Sequence, residues 1–507
     1  MQQFQAINNI KAVLAKFQID APDVQVSELV LDSREVAVHS VFVAIKGHQL
    51  DGRDFIPQAI SLGAKLILQE VEQPQLHGEI EMREQSILIS FYQLGQKLSL
   101  LAAAFYGSPA QYLDVIGVTG TNGKTSVVQL ISQLRFLCGD VSASIGTLGA
   151  GLYSVDNYQL EKTLNTTPDA CQVQKSLAKY VGLGAKQVAL EASSHALVQD
   201  RIQGLKMDVA VFTNLTRDHL DYHGDMTEYA KAKRQLLNQP ELKNLVLNAD
   251  DPETANWISA ASKQQKITLF STQLSAENVA DTQQYCFASN IQYDQRGLSF
   301  QLNSSWGNAD IHCGLLGKFN VANLLAAIAS LLVFGLSLPK LAKLCKKLKP
   351  VAGRMELFEH PKAGNLIVDF AHTPDALEQA LKSARVHSQK QLICVFGCGG
   401  DRDKGKRPLM AAAAEQYSDQ IIITSDNSRS EPSSSIFADI LAGITDQSKV
   451  KVETDRKKAI QLAIAQSQKG DLIVVAGKGH ETEQVIGQQS LPYDERNYVN
   501  TLCVGEM

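Results

Sequence analysis

Short apolar runs punctuated by glycine, proline and polar clusters recur along the chain, and their spacing predicts alternating strands and helices. In residues 1–110, Val41-Phe-Val-Ala-Ile45, Lys65-Leu-Ile-Leu68 and Ser86-Ile-Leu-Ile89 read as strands. Ile7, Ile10, Val13, Leu14 and Phe17 fall at helical spacing, which suits a surface helix and lacks the continuous apolar core of a signal peptide. Gly107-Ser-Pro109 marks a linker. The middle third alternates strands (Gln187-Val-Ala-Leu190, Asp208-Val-Ala-Val-Phe212, Leu245-Val-Leu247) with helical patterns, which implies a parallel sheet. Residues 264–310 are Gln-rich and read as an irregular excursion of surface strands and loops. Lys349-Pro350 and Ala352-Gly353 mark a second boundary. Beyond it Leu366-Ile-Val368, Leu392-Ile-Cys-Val-Phe396, Ile421-Ile-Ile-Thr424 and Leu472-Ile-Val-Val475 predict a second doubly wound sheet, with functional loops at the strand C-terminal ends. The expectation is an α/β protein of three domains: a small N-terminal α/β domain (1–110), a central phosphate-loop domain with a mainly parallel sheet (111–350), and a C-terminal Rossmann-like domain (351–507).

Length agrees: 507 residues exceed what one core sustains. Composition narrows the function classes. A net charge of −5 gives no support for nucleic-acid binding, which favours a basic stripe. The longest apolar run, Leu324 to Leu338, is interrupted by Ser330 and Gly335 and falls short of the ~20 residues a bilayer needs, so it reads as a buried helix. Eight cysteines are scattered without a Cys-x-x-Cys pair; Cys394 and Cys398 read as core packing, and a reducing cytoplasm fits.

Candidate chemistry begins at Gly117-Val-Thr-Gly-Thr-Asn-Gly-Lys-Thr125, which follows the apolar run Leu113-Asp-Val-Ile116. Gly120 and Gly123 let backbone N–H groups of the loop, with Thr121 and Asn122, turn toward phosphate oxygens. Lys124 supplies a point charge, and the Thr125 hydroxyl can ligate Mg²⁺. Val128, Ile131, Leu134 and Leu137 then continue at helical spacing, so a helix N-terminus faces the phosphates. One departure stands out: Val118 occupies the position where the usual motif has its first glycine. The chain therefore handles a nucleoside triphosphate.

Further polar clusters follow predicted strands. Glu191-Ala-Ser-Ser-His195 places a carboxylate at a strand end, suited to holding Mg²⁺. Thr213-Asn-Leu-Thr-Arg-Asp-His219 and Leu220-Asp-Tyr-His223 concentrate histidines and aspartates; His219 is the candidate metal ligand. Tyr229-Ala-Lys-Ala-Lys233-Arg234 reads, on sequence alone, as a solvated basic helix face. Asn165-Thr-Thr-Pro168 is a polar loop ending at a helix-starting proline. In the last third, Arg402, Arg429 and Glu481 follow three strands, and two guanidiniums with a carboxylate complement a zwitterionic amino acid.

Together these residues resemble the Mur ligases, ATP-dependent enzymes that extend the peptide of peptidoglycan precursors. The resemblance covers nearly the whole chain: Asp32-Ser-Arg34, Gly47-His-Gln49, Asp51-Gly-Arg53, the phosphate loop, Asn165–Pro168, Glu191–His195, Thr213–His223, Gly317-Lys-Phe-Asn-Val-Ala-Asn323, Gly353-Arg-Met-Glu356, Ala371-His-Thr-Pro-Asp375 and the three C-terminal loops. Within the family it looks like the tripeptide-forming member. The resemblance implies that ATP phosphorylates the free carboxylate of UDP-N-acetylmuramoyl-L-alanyl-D-glutamate, and that an incoming amine displaces phosphate. It implies ATP and Mg²⁺ as cofactors, small-molecule partners alone, a cytoplasmic monomer, and domain closure. It also implies that a lysine in the helix after the His-rich loop is carbamylated; aligned on Tyr229 this is Lys233, with Lys231 two residues out of register.

Residue by residue, the resemblance assigns Lys124, Glu191, His219 and Lys233 to catalysis and Thr125, Glu191, His219 and carbamylated Lys233 to magnesium. Gly120 to Thr125, Asn320, Arg354, His372 and Asp375 go to ATP. Ser33, His48, Gln49, Asn165, Thr166, Thr167, Ser193, Gln199 and Arg201 go to the UDP-muramyl dipeptide, and Arg402, Asp426, Asn427, Arg429, Gly477 and Glu481 to the amino acid. Family members that use meso-diaminopimelate carry Asp-Asn-Pro-Arg where this chain has Asp426-Asn-Ser-Arg429; lysine users generally lack that arginine. Retention of Arg429 implies meso-diaminopimelate, whose distal carboxylate needs a cation. The alternatives are an L-lysine-adding form, a folylpolyglutamate synthase, and a nucleotide switch without ligase turnover.

Overall fold

The computed structural model describes residues 9–47, 50–153, 160–280 and 283–504. The chain divides into two compact units: Met1–Phe270 with Val279–Gln284 and Ala326–Gly335, and Ser271–Asn278 with Tyr285–Leu325 and Leu336–Met507.

The first unit holds two sheets. The N-terminal one contains β1 (Glu28–Val30), β2 (Ser40–Ala44), β3 (Leu66–Val71), β4 (Ile80–Arg83) and β5 (Ser86–Tyr92) in the order β1-β2-β3-β5-β4, with only β4 antiparallel to its neighbour. Alternate residues feed opposite cores. Val41, Val43, Leu66, Leu68, Ile89 and Phe91 pack on one face, with the helix Leu94–Phe105, and Phe42, Ala44, Ile67 and Leu88 pack on the other.

The second sheet contains β6 (Asp114–Thr119), β7 (Ser142–Gly146), β8 (Gly149–Leu152), β9 (Gln187–Glu191), β10 (Val209–Phe212), β11 (Asn244–Asn248) and β12 (Lys266–Ser271), ordered β12-β11-β10-β6-β9-β7-β8. All neighbours are parallel except the β7–β8 hairpin. β6 lies centrally, so the loop leaving its C-terminal end is flanked by the loops after β9 and β10. Val118 is fully buried in β6, in register with Val211 and Glu191, so the residue at the missing glycine belongs to the strand rather than the turn.

In the second unit β13 (Gln284–Asp294), β14 (Gly297–Ser304) and β15 (Gly307–Cys313) form an antiparallel meander. The region expected to be irregular is thus regular sheet, because alternate residues Leu298, Phe300 and Leu302 of β14, with Cys286 and Phe287 of β13, are buried despite the polar composition. The expected helix over Leu324–Leu338 is also revised. One helix ends at Leu332, Gly335 turns the chain at φ +82°, and a new helix starts at Leu338 with a proline in its first turn.

The remaining sheet comprises β16 (Glu356–Phe358), β17 (Asn365–Asp369), β18 (Leu392–Phe396), β19 (Gln420–Ile423), β20 (Val450–Val452) and β21 (Leu472–Ala476), ordered β16-β17-β21-β18-β19-β20 and parallel except for β16. Its strands are apolar on both faces. Leu392, Cys394 and Phe396 pack with the helices Pro374–Arg385, Lys406–Tyr417 and Ser433–Leu441, whereas Ile393 and Val395 pack with Arg456–Gln466 and Glu495–Val504. At roughly 1.5–3 kcal/mol per buried large aliphatic side chain, this two-sided burial fixes the strand ends that carry the polar loops. Cys394 and Cys398 are buried in this core, as expected. A last hairpin joins β22 (Glu483–Ile486) to β23 (Gln489–Pro492). Among the described residues, no helix is long and apolar enough to cross a membrane.

Candidate active site

The loop after β6 is shaped by glycine and braced by its neighbour. Gly120 has φ +145°, and a Cβ there would lie 1.9 Å from Thr213 Oγ1. Gly123, at φ +87°, precedes the helix Lys124–Leu137. Thr121 N–H donates to Asn214 O, Asn122 N–H donates to Asn214 Oδ1, and Thr213 Oγ1 donates to Asn122 O. Thr121 Oγ1 bonds Thr216 and the Tyr229 hydroxyl. Thr213, Asn214 and Tyr229 therefore set the loop's path, a role invisible in the motif. Gly120→Ala is expected to lower the thermal unfolding midpoint by several degrees and to abolish binding of a fluorescent ATP analogue, since overpacking and a disfavoured φ each cost about 1–3 kcal/mol. Unchanged nucleotide affinity would contradict this account of the loop.

Lys124 Nζ donates to the carbonyls of Gly120 and Thr121, both at 2.8 Å. Lys233 donates to the same Gly120 carbonyl at 2.9 Å, and its Nζ lies 4.4 Å from the centre of the Tyr229 ring. Only 1 % of Lys233 is exposed, which overturns the reading of a solvated face. Lys231 is the solvated lysine, paired with Glu228. Burial drives the Lys233 amine well below the ordinary lysine range; the Lys124 charge pushes it the same way, and Asp218 opposes. Lys233 lies four residues after Tyr229 on the same helix face, and both are buried, whereas Lys231 is turned away.

Glu191, at the end of β9, is buried. Its carboxylate accepts from Thr147 N–H at 2.8 Å and Thr147 Oγ1 at 3.3 Å. Gly146 makes room for it, since a Cβ there would meet Glu191 Oε1 at 2.2 Å. Thr125, Glu191 and Lys233 are all buried beside the central loop or on strands and helices next to it. His219 has φ +52°, unusual for a residue with a side chain, and its Nε2 lies 3.4 Å from Asp218. Its ring is 5.0 Å from that of His195, which in turn stacks near Tyr222 and His223. Burial, with the charges of His219 and His223, pulls the His195 imidazole down to about 4. His223 bonds Ser194 Oγ at 2.9 Å and packs on Tyr229, a supporting place. Among the described residues, no three His, Cys, Asp or Glu side chains are grouped to hold a metal. A cation here needs the Thr125 hydroxyl and Glu191, hard oxygen donors, and a further anion.

A second network joins residues assigned to the dipeptide. Thr167 Oγ1 donates to Glu191 O at 2.6 Å and lies 3.2 Å from Ser193 Oγ. Thr166 Oγ1 meets Thr147 Oγ1 at 3.1 Å. Arg201 bonds Thr167 O at 2.7 Å and Gln199 Oε1, and Gln199 reaches the Tyr222 hydroxyl at 3.1 Å. Asn165 is exposed on the same loop. Pro168 does not start the following helix; Asp169 caps it and Ala170 is its first residue, because the Asp169 carboxylate satisfies the N–H groups of Cys171 and Gln172. Ser33, in the N-terminal sheet's loops, bonds Gln58 at 2.8 Å. His48 and Gln49 lie outside the described residues.

In the second unit, Asn320 donates from Nδ2 to Leu316 O and accepts from Asn323. Arg354 stacks its guanidinium 4.7 Å from the Phe370 ring, and its buried Nε has no hydrogen-bond partner among the described residues. His372 packs on the same ring and is exposed, as is Asp375 in the first turn of the next helix. Three loops converge at the β18, β19 and β21 ends. Arg429, at φ +49°, donates from Nη1 to Gly400 O at 2.9 Å and Asn427 O at 3.4 Å. A Cβ on Gly399 would lie 3.1 Å from Arg429 Nη1 and 3.7 Å from Arg402 Cγ, so both arginines flank that glycine. Asn427 Nδ2 donates to Glu481 Oε2 at 3.2 Å. Gly477, at φ +120°, leaves room for Asp426, whose Oδ2 would be 2.9 Å from a Cβ. Burial would raise the Asp426 carboxyl, but Arg456 and Lys478 hold it below the usual range.

Arg407, Arg456 and Lys478 were not picked out by sequence reasoning. Arg407 is fully buried and ties Glu431 and Asp439 to Gly399 O; Arg456 is buried against Glu495 and Ala476 O. A charged residue beside a strand end gives no hint in sequence that it points inward.

Three family models match consecutive segments: the Mur ligase family catalytic domain over residues 25–106, the Mur ligase middle domain over 118–331, and the Mur ligase glutamate ligase domain over 353–479. The chain is 44% identical over 474 residues, 94% of its length and 95% of the relative's, to a UDP-N-acetylmuramoyl-L-alanyl-D-glutamate–2,6-diaminopimelate ligase of Haemophilus influenzae. A solved structure of a ligase with that name superposes with a TM-score of 0.71 at 35% identity, covering 98% of this chain and 99% of the other. A folylpolyglutamate synthase of Mycobacterium tuberculosis, solved with ADP and AMPPCP, gives a TM-score of 0.57 at 17% identity over 76% of this chain and 92% of its own, a likeness of fold alone.

Proposed function

This chain belongs to the Mur ligase family, and from that premise we propose that it joins meso-diaminopimelate to the D-glutamate of UDP-N-acetylmuramoyl-L-alanyl-D-glutamate with consumption of ATP. It is an ATP-dependent amide ligase of peptidoglycan precursor synthesis. The assignment of domains follows: residues 1–110 for the UDP-muramyl substrate, 111–350 for ATP, 351–507 for the amino acid. Extensive identity to a diaminopimelate ligase, against 17% to the folylpolyglutamate synthase, favours this reading over the rivals.

The chemistry requires activation, because a carboxylate is a poor electrophile and oxide a poor leaving group. Transfer of the terminal phosphoryl group of ATP makes an acyl phosphate; the amine then adds, and phosphate departs from the tetrahedral intermediate. Lys124 and the loop N–H groups of Gly120 to Thr125 would stabilise charge on the transferring phosphoryl group. Thr125, Glu191, His219 and carbamylated Lys233 would hold Mg²⁺, which when bound offsets negative charge on the phosphates. The fit depends on Lys233. As an ammonium it would repel the cation; as a buried neutral amine it can attack CO₂ through its lone pair, losing a proton and becoming an anionic oxygen ligand. This buried lysine beside the loop is the observation that carries the reading.

Asn320, Arg354, His372 and Asp375 are assigned to ATP; the stacked guanidinium of Arg354, whose Nε has no partner among the described residues, suits that role. Ser33, Thr166, Thr167, Ser193, Gln199 and Arg201 are assigned to the muramyl dipeptide. Arg402, Asp426, Asn427, Arg429, Gly477 and Glu481 are assigned to the amino acid. One chain carries every assigned residue, so a monomer suffices, and its eight cysteines, unbridged by disulfides, suit a reducing cytoplasm. The test is phosphate release coupled to mass analysis of the product. Release is expected only with both the muramyl dipeptide and diaminopimelate present, and the product gains the mass of one diaminopimelate less one water. ATP hydrolysis at the same rate without either substrate would sink the ligase reading.

A further inference from the structure

Lys478 sits in the loop after β21 and is fully buried, although lysine seldom is. Its ammonium donates to Glu481 Oε2 at 2.9 Å, Asn427 Oδ1 at 3.0 Å and Asp426 Oδ1 at 3.4 Å, so all three of its protons have acceptors. The amide of Asn427 is oriented without ambiguity. Its Oδ1 accepts from both Lys478 and the Val485 N–H at 2.9 Å, which leaves Nδ2 to donate to Glu481 Oε2. Glu481 Oε2 thus receives two donors, while Oε1 accepts none among the described residues. The side chain of Glu481 is 33 % exposed, whereas those of Lys478 and Asp426 are 0 % and 9 % exposed.

The charges add up in one direction. Arg456 is balanced by Glu495, and Lys478 by Asp426. Lys478 also pairs with Glu481 at 2.9 Å, so Asp426, Glu481 and Glu495 outnumber Arg456 and Lys478 by one charge, and the partly exposed Oε1 of Glu481 is the atom open to a further cation. Without Lys478, among the described residues, Glu481 would keep only the bond from Asn427 Nδ2, and Asn427 Oδ1 would keep only the Val485 N–H.

We propose that Lys478 is a positioning residue that locks Glu481 and Asn427 so that Glu481 Oε1 is presented to an ammonium group of the incoming amino acid. The inference rests on the assignment of this loop cluster to amino-acid binding. Lys478 touches no substrate; it acts through Glu481. Without Lys478, the Glu481 carboxylate is held by Asn427 Nδ2 alone and samples more rotamers, and the substrate bears the cost of ordering it.

The experiment compares Lys478→Met, Glu481→Gln and the double variant in the full-length enzyme by steady-state kinetics in all three substrates. Lys478→Met is expected to raise KM for diaminopimelate by roughly 10- to 100-fold, the scale of one charge-assisted hydrogen bond, with KM for ATP and for the muramyl dipeptide unchanged. In the Glu481→Gln background the same change is expected to add less than about threefold, because its effect passes through Glu481. Equal effects in the two backgrounds, or a rise in all three KM values, would overturn the proposal. If Lys478→Met fails to fold because Asp426 is left buried and unpaired, Lys478→Met with Asp426→Asn is read against Asp426→Asn alone; no added rise in KM for diaminopimelate there overturns it too. If Glu481→Gln itself leaves that KM unchanged, it is the amino-acid site assignment that fails, and the inference with it.

Discussion

Replacing Lys233 with methionine is expected to reduce amide formation by roughly 100- to 1,000-fold, the scale of losing one preorganised electrostatic partner of a phosphoryl-transfer site. The same variant is expected to be at least as stable to heat as the parent chain. The two outcomes share a cause. The Lys233 amine is held well below its ordinary range, first by burial and then by the charge of Lys124, with Asp218 opposing. Between that depressed value and about 10.4 the unfolded chain binds a proton that the folded chain does not, so stability rises with pH across this window. At neutral pH the unmodified lysine therefore weakens the fold, and an apolar side chain of similar length relieves that cost. The neutral state that costs stability is also the state that reacts with CO₂. Wild-type activity is accordingly expected to fall when CO₂ is stripped from the buffer and to return with added bicarbonate. Thermal unfolding, phosphate release and the bicarbonate response check the three parts. A Lys233→Met enzyme with near-normal turnover would remove Lys233 from the mechanism.

Arg429→Ala is expected to lower kcat/KM for meso-diaminopimelate by at least about 100-fold without lowering any turnover of L-lysine. Arg429 commits Nη1 to the carbonyls of Gly400 and Asn427. Its Nε and Nη2 make no hydrogen bond among the described residues, and this edge of the guanidinium has the fork geometry that grips a carboxylate. Two charge-assisted bonds at about 1.5–3 kcal/mol each account for the expected loss. The backbone agrees, for Arg429 is held at φ +49° by its N–H on Val485 O and its own carbonyl on Gly487 N–H. Residues kept in sparsely populated conformations of this kind cluster at functional sites. Competition between diaminopimelate and L-lysine reads the result directly; an Arg429→Ala enzyme that keeps its full preference would assign recognition of the distal carboxylate elsewhere. Ser428 in place of proline removes no charge and is itself buried.

Sequence by itself determined the α/β class, the three sheets and the phosphate loop, because each depends on local signals. Runs such as Leu392–Phe396 are apolar on both faces of a parallel sheet, and glycine at 120 and 123 is demanded by backbone angles. It also placed Glu191, His219, Arg402, Arg429 and Glu481 at strand ends, where a doubly wound sheet puts its chemistry. What it could not decide was which charged side chains turn inward. Lys231 and Lys233 are two residues apart on one helix, and neither composition nor propensity separates them. Burial of Lys233 is settled by the Gly120 carbonyl, more than a hundred residues earlier in the chain. Lys478 was likewise in plain view within a recognised loop, yet its acceptors Asp426 and Asn427 arrive from another strand, about fifty residues away. The stretch 264–310 reads in sequence as irregular surface strands and loops, because its polar composition masks the regular antiparallel pairing of 284–313. Local pattern fixes where elements form, since backbone sterics and side-chain period act over a few residues. Desolvation and charge act through space, so only the tertiary structure decided which lysine is buried and what it holds.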